Sequence, residues 1–150
     1  MARWLGIDHG LKALGVAVSD PLGMLARPLA VIERRSKAED FARIAALAEE
    51  HQIEGIVVGV PAQPGAAREK QAESVRLWAG RLAAAVPVPV WLWDESYSSV
   101  EAGRLLAETG RRRKPGARID DAAAAVILQD FLDARRANPN AGERVSPAET

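Results

Sequence analysis

The chain has 150 residues, of which 48% are hydrophobic and 27% charged, a balance typical of a folded globular protein rather than a disordered or fibrous one. This length predicts a single ordinary domain. Twenty acidic and twenty basic residues cancel, so the net charge does not indicate a polyanionic partner. The absence of cysteine excludes disulfides and thiolate metal sites and favours a cytoplasmic protein, and without a stretch of 18 apolar residues no membrane association is expected.

Three short apolar segments, separated by Gly, Asp and Pro, predict three strands at the start of the chain. They cover residues 3–8, 14–19 and 25–33, and their spacing favours an antiparallel meander. The first strand is expected to end on Asp8, which would hold a carboxylate on rigid backbone at the rim of the sheet. His9 follows in the expected turn, and we interpret it as a solvent-exposed histidine without a role.

The remainder of the chain alternates helices and strands. The capping box that starts at Ser36 predicts a helix ending near His51, and the apolar run EGIVVGV predicts a buried strand that stops at Pro61. Further helices are expected over residues 68–85, 98–109 and 119–136, and a further strand over 88–93. The order βββαβαβαα predicts an α/β fold in which helices pack on both faces of a mixed five-stranded sheet. This domain would span residues 1–137, and the polar residues 138–150 would form a flexible tail.

Acidic residues occur where several of these elements begin or end. Asp8 ends the first strand, Glu95 follows the last strand, and Asp120 and Asp121 open the last helix. Ligands of such sheets bind beyond the carboxyl ends of the parallel strands, so these acids can meet at one rim. Mg²⁺ and Mn²⁺ prefer carboxylate oxygens, and two such ions can assist phosphodiester hydrolysis. Taken singly, each aspartate can equally be a turn former or a helix N-cap.

A basic segment precedes the last helix. RRRKPGAR carries five positive charges and no negative one beside a Pro-Gly turn. A solvated turn is the alternative, but five cations held together favour contact with phosphate groups. The predicted nucleic-acid-binding residues here are Arg111, Arg112, Arg113, Lys114 and Arg118.

Four segments, in this order, resemble one protein family. GIDHGLKALGVAVSD, IVVGVP, WDESYSS and IDDAAAAVILQDFLD are similar to the YqgF/RuvX family of RNase H-like nucleases and predicted Holliday junction resolvases, over about residues 4–134. The resemblance implies an RNase H-like fold, phosphodiester cleavage dependent on a divalent metal, and a link to maturation of the 16S ribosomal RNA precursor. It assigns the catalytic, metal-binding acids to Asp8, Glu95 and Asp120, with Asp121 as an alternative metal ligand.

The chain departs from the family pattern at two basic positions. Ser96 stands where the family has an arginine after Asp-Glu, and Ala13 stands where a basic residue usually follows Lys12. Both changes remove cations near the expected phosphate site. We therefore expect Lys12, or the basic segment 111–118, to supply the missing charge.

Three functions are compatible with these features. The favoured one is a nuclease that uses Mg²⁺ or Mn²⁺ to cut branched DNA, precursor ribosomal RNA or both. An actin-like kinase or ATPase shares the Asp-x-Gly loop, but it closes two such domains around a nucleotide, and 150 residues supply only one. The third is a nucleic-acid-binding or ribosome-assembly module without catalysis. The oligomeric state stays open, because cutting a junction favours a homodimer whereas trimming RNA needs only a monomer.

Overall fold

A computed structural model describes residues 3–61, 66–95 and 120–148, and for residues 66–68, 120 and 121 it describes the backbone only. Within these ranges the fold is mixed α/β, as the sequence predicts. The strands are β1 (Trp4–His9), β2 (Ala13–Ser19), β3 (Ala26–Glu33), β4 (Gly55–Val60), β5 (Val90–Asp94) and β6 (Glu143–Arg144). The helices are α1 (Lys37–Glu50), α2 (Ala66–Ala85) and α3 (Asp120–Ala137). The helix predicted over 98–109 and the basic segment 111–118 lie outside the described residues.

The strands form one sheet in the order β3-β2-β1-β4-β5-β6. β1, β2 and β3 pair antiparallel, which confirms the predicted meander, while β1, β4 and β5 are mutually parallel. The carboxyl ends of the three parallel strands therefore meet at one edge of the sheet, which we call the carboxyl edge. None of the helices in the described ranges is long and apolar enough to cross a membrane.

The sheet has six strands, whereas the sequence predicts five. β6 lies in the segment predicted as a tail and pairs antiparallel with β5. Beyond it, the Val145 backbone N–H donates to the Val90 carbonyl at 2.9 Å, and the Ala148 N–H donates to the Gly80 carbonyl at 2.9 Å. A strand of two exposed polar residues has no alternating apolar pattern, so its pairing with β5 is what defines it.

The sheet separates two apolar layers. Leu5 and Ile7 of β1 pack with residues of α1 and α2, including Ile44 and Trp78, and we call this side the α1/α2 face. Trp4 of the same strand packs with α3 residues on the opposite side, which we call the α3 face. Because side chains alternate along a strand, each residue of β1 is committed to one layer by its position.

Helix α3 lies unusually close to β1 because glycine and alanine meet between them. A Cβ placed on Gly6 would lie 2.6 Å from Leu128 Cβ and 3.1 Å from the Ala124 carbonyl oxygen. Further toward the start of β1, the Trp4 and Phe131 rings contact edge to face with centroids 5.0 Å apart. The helix thus runs antiparallel to β1, and its N-terminus lies at the carboxyl edge.

The other end of α3 is fixed by polar and cation–π contacts. The Gln129 side chain accepts from the Ala26 backbone N–H at 2.9 Å and donates to the Met24 carbonyl at 2.8 Å. The Arg135 guanidinium lies 5.4 Å from the centre of the Trp4 ring, within cation–π range. These contacts prevent the helix from sliding along the sheet, so the position of its N-terminus is also fixed.

Candidate active site at the carboxyl edge of the sheet

Asp8 is a half-buried residue near the end of β1. It follows Trp4 and Gly6 in the strand alternation, so its side chain lies on the α3 face. Ile7 is paired with Val58, which brings Asp8 beside Gly59 of β4. The carboxylate therefore stands on a central strand, where neighbouring strands on both sides hold the backbone in place.

Glu95, half-buried directly after β5, reaches over β4 rather than away from the sheet. Its Oε1 lies 3.0 Å from the point where a Cβ on Gly59 would be, and Ile127 Cδ1 lies 2.5 Å from the same point. The missing side chain of Gly59 thus leaves room for the Glu95 carboxylate against the sheet. Gly59 is beside Asp8, and neighbouring strands are about 4.8 Å apart. The Glu95 carboxylate therefore lies over the strand next to Asp8, on the same face of the sheet.

Asp120 is the first residue of α3, and Asp121 is the second. The antiparallel register of α3 on β1 sets Ala124 over Gly6, so the first turn of the helix continues toward Asp8. The backbone of both aspartates is therefore at the same edge and on the same face as the two other acids. The choice between Asp120 and Asp121 as a ligand stays a prediction.

Hard divalent cations suit this edge chemically. Asp8 and Glu95 offer carboxylate oxygens, and Mg²⁺ is commonly held by one or two carboxylates while it keeps several waters. Among the side chains that the structure describes, no group of three His, Cys, Asp or Glu residues forms a metal-binding cluster. The side chains of Asp120 and Asp121 lie outside that set, so a metal ligand from the first turn of α3 stays a prediction.

The predicted substrate cation Lys12 is exposed in the turn between β1 and β2, at the carboxyl edge. The turn is held by the Gly10 N–H, which donates to the Ala13 carbonyl at 3.0 Å. Arg34, which directly follows β3, donates to the Gly10 carbonyl at 2.9 Å, so its guanidinium group lies beside the turn. The contact predicted for Lys12 with a substrate is compatible with this position and stays a prediction.

His9 is not the exposed turn residue expected from the sequence. It is the last residue of β1, and strand alternation turns its ring to the α1/α2 face, where it contacts the Trp78 ring with centroids 4.7 Å apart. Burial, followed by the charge of Arg34, lowers the pKa of His9 from 6.5 to about 4, so its imidazole is neutral at pH 7. The alternation Leu5, Ile7, His9 is the signal that would have indicated this orientation.

The overall arrangement matches solved structures of one fold class. The fold is similar to RuvC of Thermus thermophilus in complex with a Holliday junction substrate, with a TM-score of 0.66 and 16% identity over 96% of this chain and 99% of that one. It is also similar to the Holliday junction resolvase of fowlpox virus, with a TM-score of 0.52 and 9% identity over 88% and 99% of the two chains. At these identities the likeness concerns the fold, which is the RNase H-like fold of RuvC-type resolvases.

Sequence comparison is more specific. Residues 2–134 match the family model described as "RuvX: Holliday junction resolvase". Curated relatives carry the name "Putative pre-16S rRNA nuclease": one from Moorella thermoacetica is 44% identical over 87% of this chain and 94% of its own length. Another, from Symbiobacterium thermophilum, is 44% identical over 89% and 94%. The chain belongs to the RuvX family, as the four sequence motifs indicate, and this membership supports a nuclease.

Proposed function

We propose that this protein is a metal-dependent endonuclease that hydrolyses phosphodiester bonds of structured nucleic acid at the carboxyl edge of its sheet. The observation that carries the proposal is that Asp8 and the Glu95 carboxylate lie on the same face of neighbouring strands, with the backbone of the acidic first turn of α3 at the same edge. Carboxylates repel one another when they are gathered in this way, and a divalent cation relieves that repulsion.

Asp8, Glu95 and Asp120 would hold Mg²⁺ or Mn²⁺, with Asp121 as the alternative on the helix. Such a metal activates a water molecule and stabilises the charge on the leaving oxygen of a phosphodiester. The contribution of the chain is position: Asp8 stands on a central strand, and the Glu95 carboxylate lies against β4 at Gly59. Carboxylates fixed in advance lose little entropy when the reacting groups arrive.

The substrate is either precursor 16S ribosomal RNA, as the names of the curated relatives suggest, or a four-way DNA junction, as the name of the family suggests. Lys12 and the basic segment, through Arg111, Arg112, Arg113, Lys114 and Arg118, would contact its phosphates. A ribosomal RNA substrate would place the protein in the cytoplasm. Two coordinated cuts in a junction would instead call for a homodimer.

Cleavage assays with matched variants test this proposal. Asp8→Asn and Glu95→Gln remove charge with little change in shape, so each is expected to lower the rate of cleavage by at least about 100-fold. Asp94→Asn is the control for Glu95, and Asp20→Asn, at the opposite edge of the sheet, is the control for Asp8; both should cleave at the parent rate. The assay uses a DNA junction, a linear duplex and a precursor RNA fragment, each with Mg²⁺ and with Mn²⁺.

The second candidate is a nucleic-acid-binding or ribosome-assembly module without catalysis, which the replacement of the family's arginine by Ser96 favours. It predicts that the parent protein binds one of the three substrates in either metal and cuts none. Near-normal cleavage by both acid variants would contradict the nuclease proposal in a different way, since an enzyme would then be present but its active site would lie elsewhere.

A further inference from the structure

A second pocket opens on the α1/α2 face, on the opposite side of β1 from the proposed metal site. It has a volume of about 200 Å³ and is lined mainly by His9, Arg34, Lys37, Ser74, Trp78 and Arg81. Asp8 and His9 are consecutive, so their Cα atoms are about 3.8 Å apart while their side chains point to opposite faces. The pocket and the proposed metal site therefore share the carboxyl edge.

The pocket is strongly basic. Arg34, Lys37 and Arg81 come from β3's end, α1 and α2, so three separate elements bring cations to one cavity. Within the described residues, the ion pairs involve other cations, such as Arg35 with Glu39 and Arg76 with Glu143, and none of them involves these three. Three positive charges that are gathered without a carboxylate to pair with them repel one another, and an anion removes that repulsion.

Two rings of the pocket add polar atoms that lack partners. His9 Nε2 and Trp78 Nε1 are both buried without a hydrogen-bond partner in the described part of the chain. Buried polar atoms of this kind are uncommon in native proteins and call for a specific explanation. A tetrahedral oxyanion offers several acceptor oxygens at once, which suits the Trp78 indole N–H, a Ser74 hydroxyl and the planar donor fork of Arg34.

We propose that the pocket formed by His9, Arg34, Lys37, Trp78 and Arg81 binds a phosphate group, and that this group belongs to the backbone of the bound nucleic acid. The assignment to nucleic acid rests on the proposed function, because a strand cut beside Asp8 crosses the same edge of the sheet. The pocket then holds the strand on one side of β1 while the acids act on the other. It also supplies cations close to the site in a chain that lacks the arginine of the family at Ser96.

Binding assays with a double variant test the proposal. Lys37→Gln with Arg81→Gln removes two exposed cations of the pocket and leaves Arg34, which supports the turn, in place. The control is Arg43→Gln with Arg76→Gln, which removes one cation from each of the same two helices outside the pocket. The probes are a four-way DNA junction, an RNA hairpin and inorganic phosphate, all in EDTA, so that neither a metal nor cleavage enters the measurement.

The double variant is expected to bind both nucleic acids on the order of tenfold more weakly than the control does. The slope of log affinity against log salt should fall by roughly 0.7 to 0.9 for the lost phosphate contact.

Equal affinities and slopes for the two proteins overturn the proposal. If only the binding of inorganic phosphate is lost, the pocket holds a small phosphate compound and the assignment to the nucleic-acid backbone is wrong. A parent protein that binds but never cleaves contradicts the nuclease function alone, because this comparison does not depend on cleavage.

Discussion

The two faces of the sheet differ sharply at the carboxyl edge, although both begin from adjacent residues of β1. On the α3 face, glycines and alanines allow a helix to lie close to the strands, and the half-buried acids Asp8 and Glu95 lie there. On the α1/α2 face, His9 packs on Trp78 in a basic pocket. Strand alternation thus separates the acidic side chains from the basic pocket by about the thickness of one strand.

The largest effect is expected from the helix acids, which the proposed function adds to Asp8 and Glu95. Asp120→Asn should lower the cleavage rate by at least about 100-fold, whereas Asp121→Asn should have a milder effect, because the resemblance assigns the ligand to the first residue of α3. Single-turnover cleavage of the best substrate measures both variants under identical conditions. If the ranking is reversed, the helix ligand moves by one position; if both variants cleave normally, α3 provides no ligand and the acidic face is incomplete.

Metal binding on the α3 face should stabilise the folded protein, and this stabilisation should not depend on the pocket on the α1/α2 face. Mg²⁺ or Mn²⁺ at about 100 times its dissociation constant is expected to add about 2.7 kcal/mol to the free energy of unfolding, which corresponds to a rise of roughly 5–10 °C in Tm. Asp8→Asn should reduce this rise, while Lys37→Gln should retain it. The melting curves are compared with those in KCl of equal ionic strength, and a parent protein that melts identically in both would contradict a preformed metal site.

The close packing around Gly59 should couple stability to activity on the α3 face. In Gly59→Ala, the new Cβ would meet Ile127 Cδ1 at 2.5 Å and Glu95 Oε1 at 3.0 Å, so the Glu95 carboxylate must move. We expect a loss of about 1–3 kcal/mol in the free energy of unfolding and a cleavage rate on the order of tenfold lower. Chemical denaturation and cleavage are measured on the same preparations.

Gly80→Ala is the matched control for that experiment. Gly80 lies inside α2, and the nearest atom to an added Cβ is 3.8 Å away, so alanine fits and should stabilise the helix by up to about 1 kcal/mol. Its cleavage rate should equal that of the parent. A Gly59→Ala variant that also cleaves at the parent rate would show that the position of Glu95 above β4 is not needed for the reaction.

The smallest effect on cleavage and binding is expected from substitution of Asp20, which lies at the edge of the sheet opposite the carboxyl edge. This residue therefore serves as a control for both faces. The Asp20 carboxylate accepts from the Met24 backbone N–H at 2.8 Å, and this bond lowers its pKa from the ordinary 3.8. The folded state therefore prefers the charged form, so the stabilisation is present above pH 3.8 and is lost as the pH falls through the lower folded value. Asp20→Ala should slightly lower the free energy of unfolding at neutral pH. The variant should then lose less of its stability on acidification than the parent does. An unchanged acid unfolding curve would contradict a stabilising role for the Asp20–Met24 hydrogen bond, and neither cleavage nor nucleic-acid binding should change.

Local sequence signals predicted most of the helices and strands, because capping boxes and apolar runs depend only on residues that are close together in the chain. Ser36 is the N-cap of α1 and accepts from the Glu39 N–H at 3.1 Å, as the capping box predicts. The buried strand expected over residues 54–60 is β4, which covers Gly55–Val60. β6 could not be predicted, because its two residues become a strand only by pairing with β5.

The sequence by itself indicated the RuvX family, because four of its segments resemble that family, and it predicted the mixed α/β order from the spacing of apolar residues. The same resemblance made Asp8, Glu95, Asp120 and Asp121 the candidate acids. It also predicted that the first strand ends on Asp8 and that Glu95 follows the last one; in the structure β1 continues one residue further to His9, and Glu95 directly follows β5. Only the tertiary structure decided that Glu95 lies over Gly59, that α3 presents its first turn toward Asp8, and that His9 enters a basic pocket with Arg34 and Arg81. The physical reason is that these contacts depend on how strands are paired and how closely helices approach them, and both are set by packing between segments that are far apart in the chain.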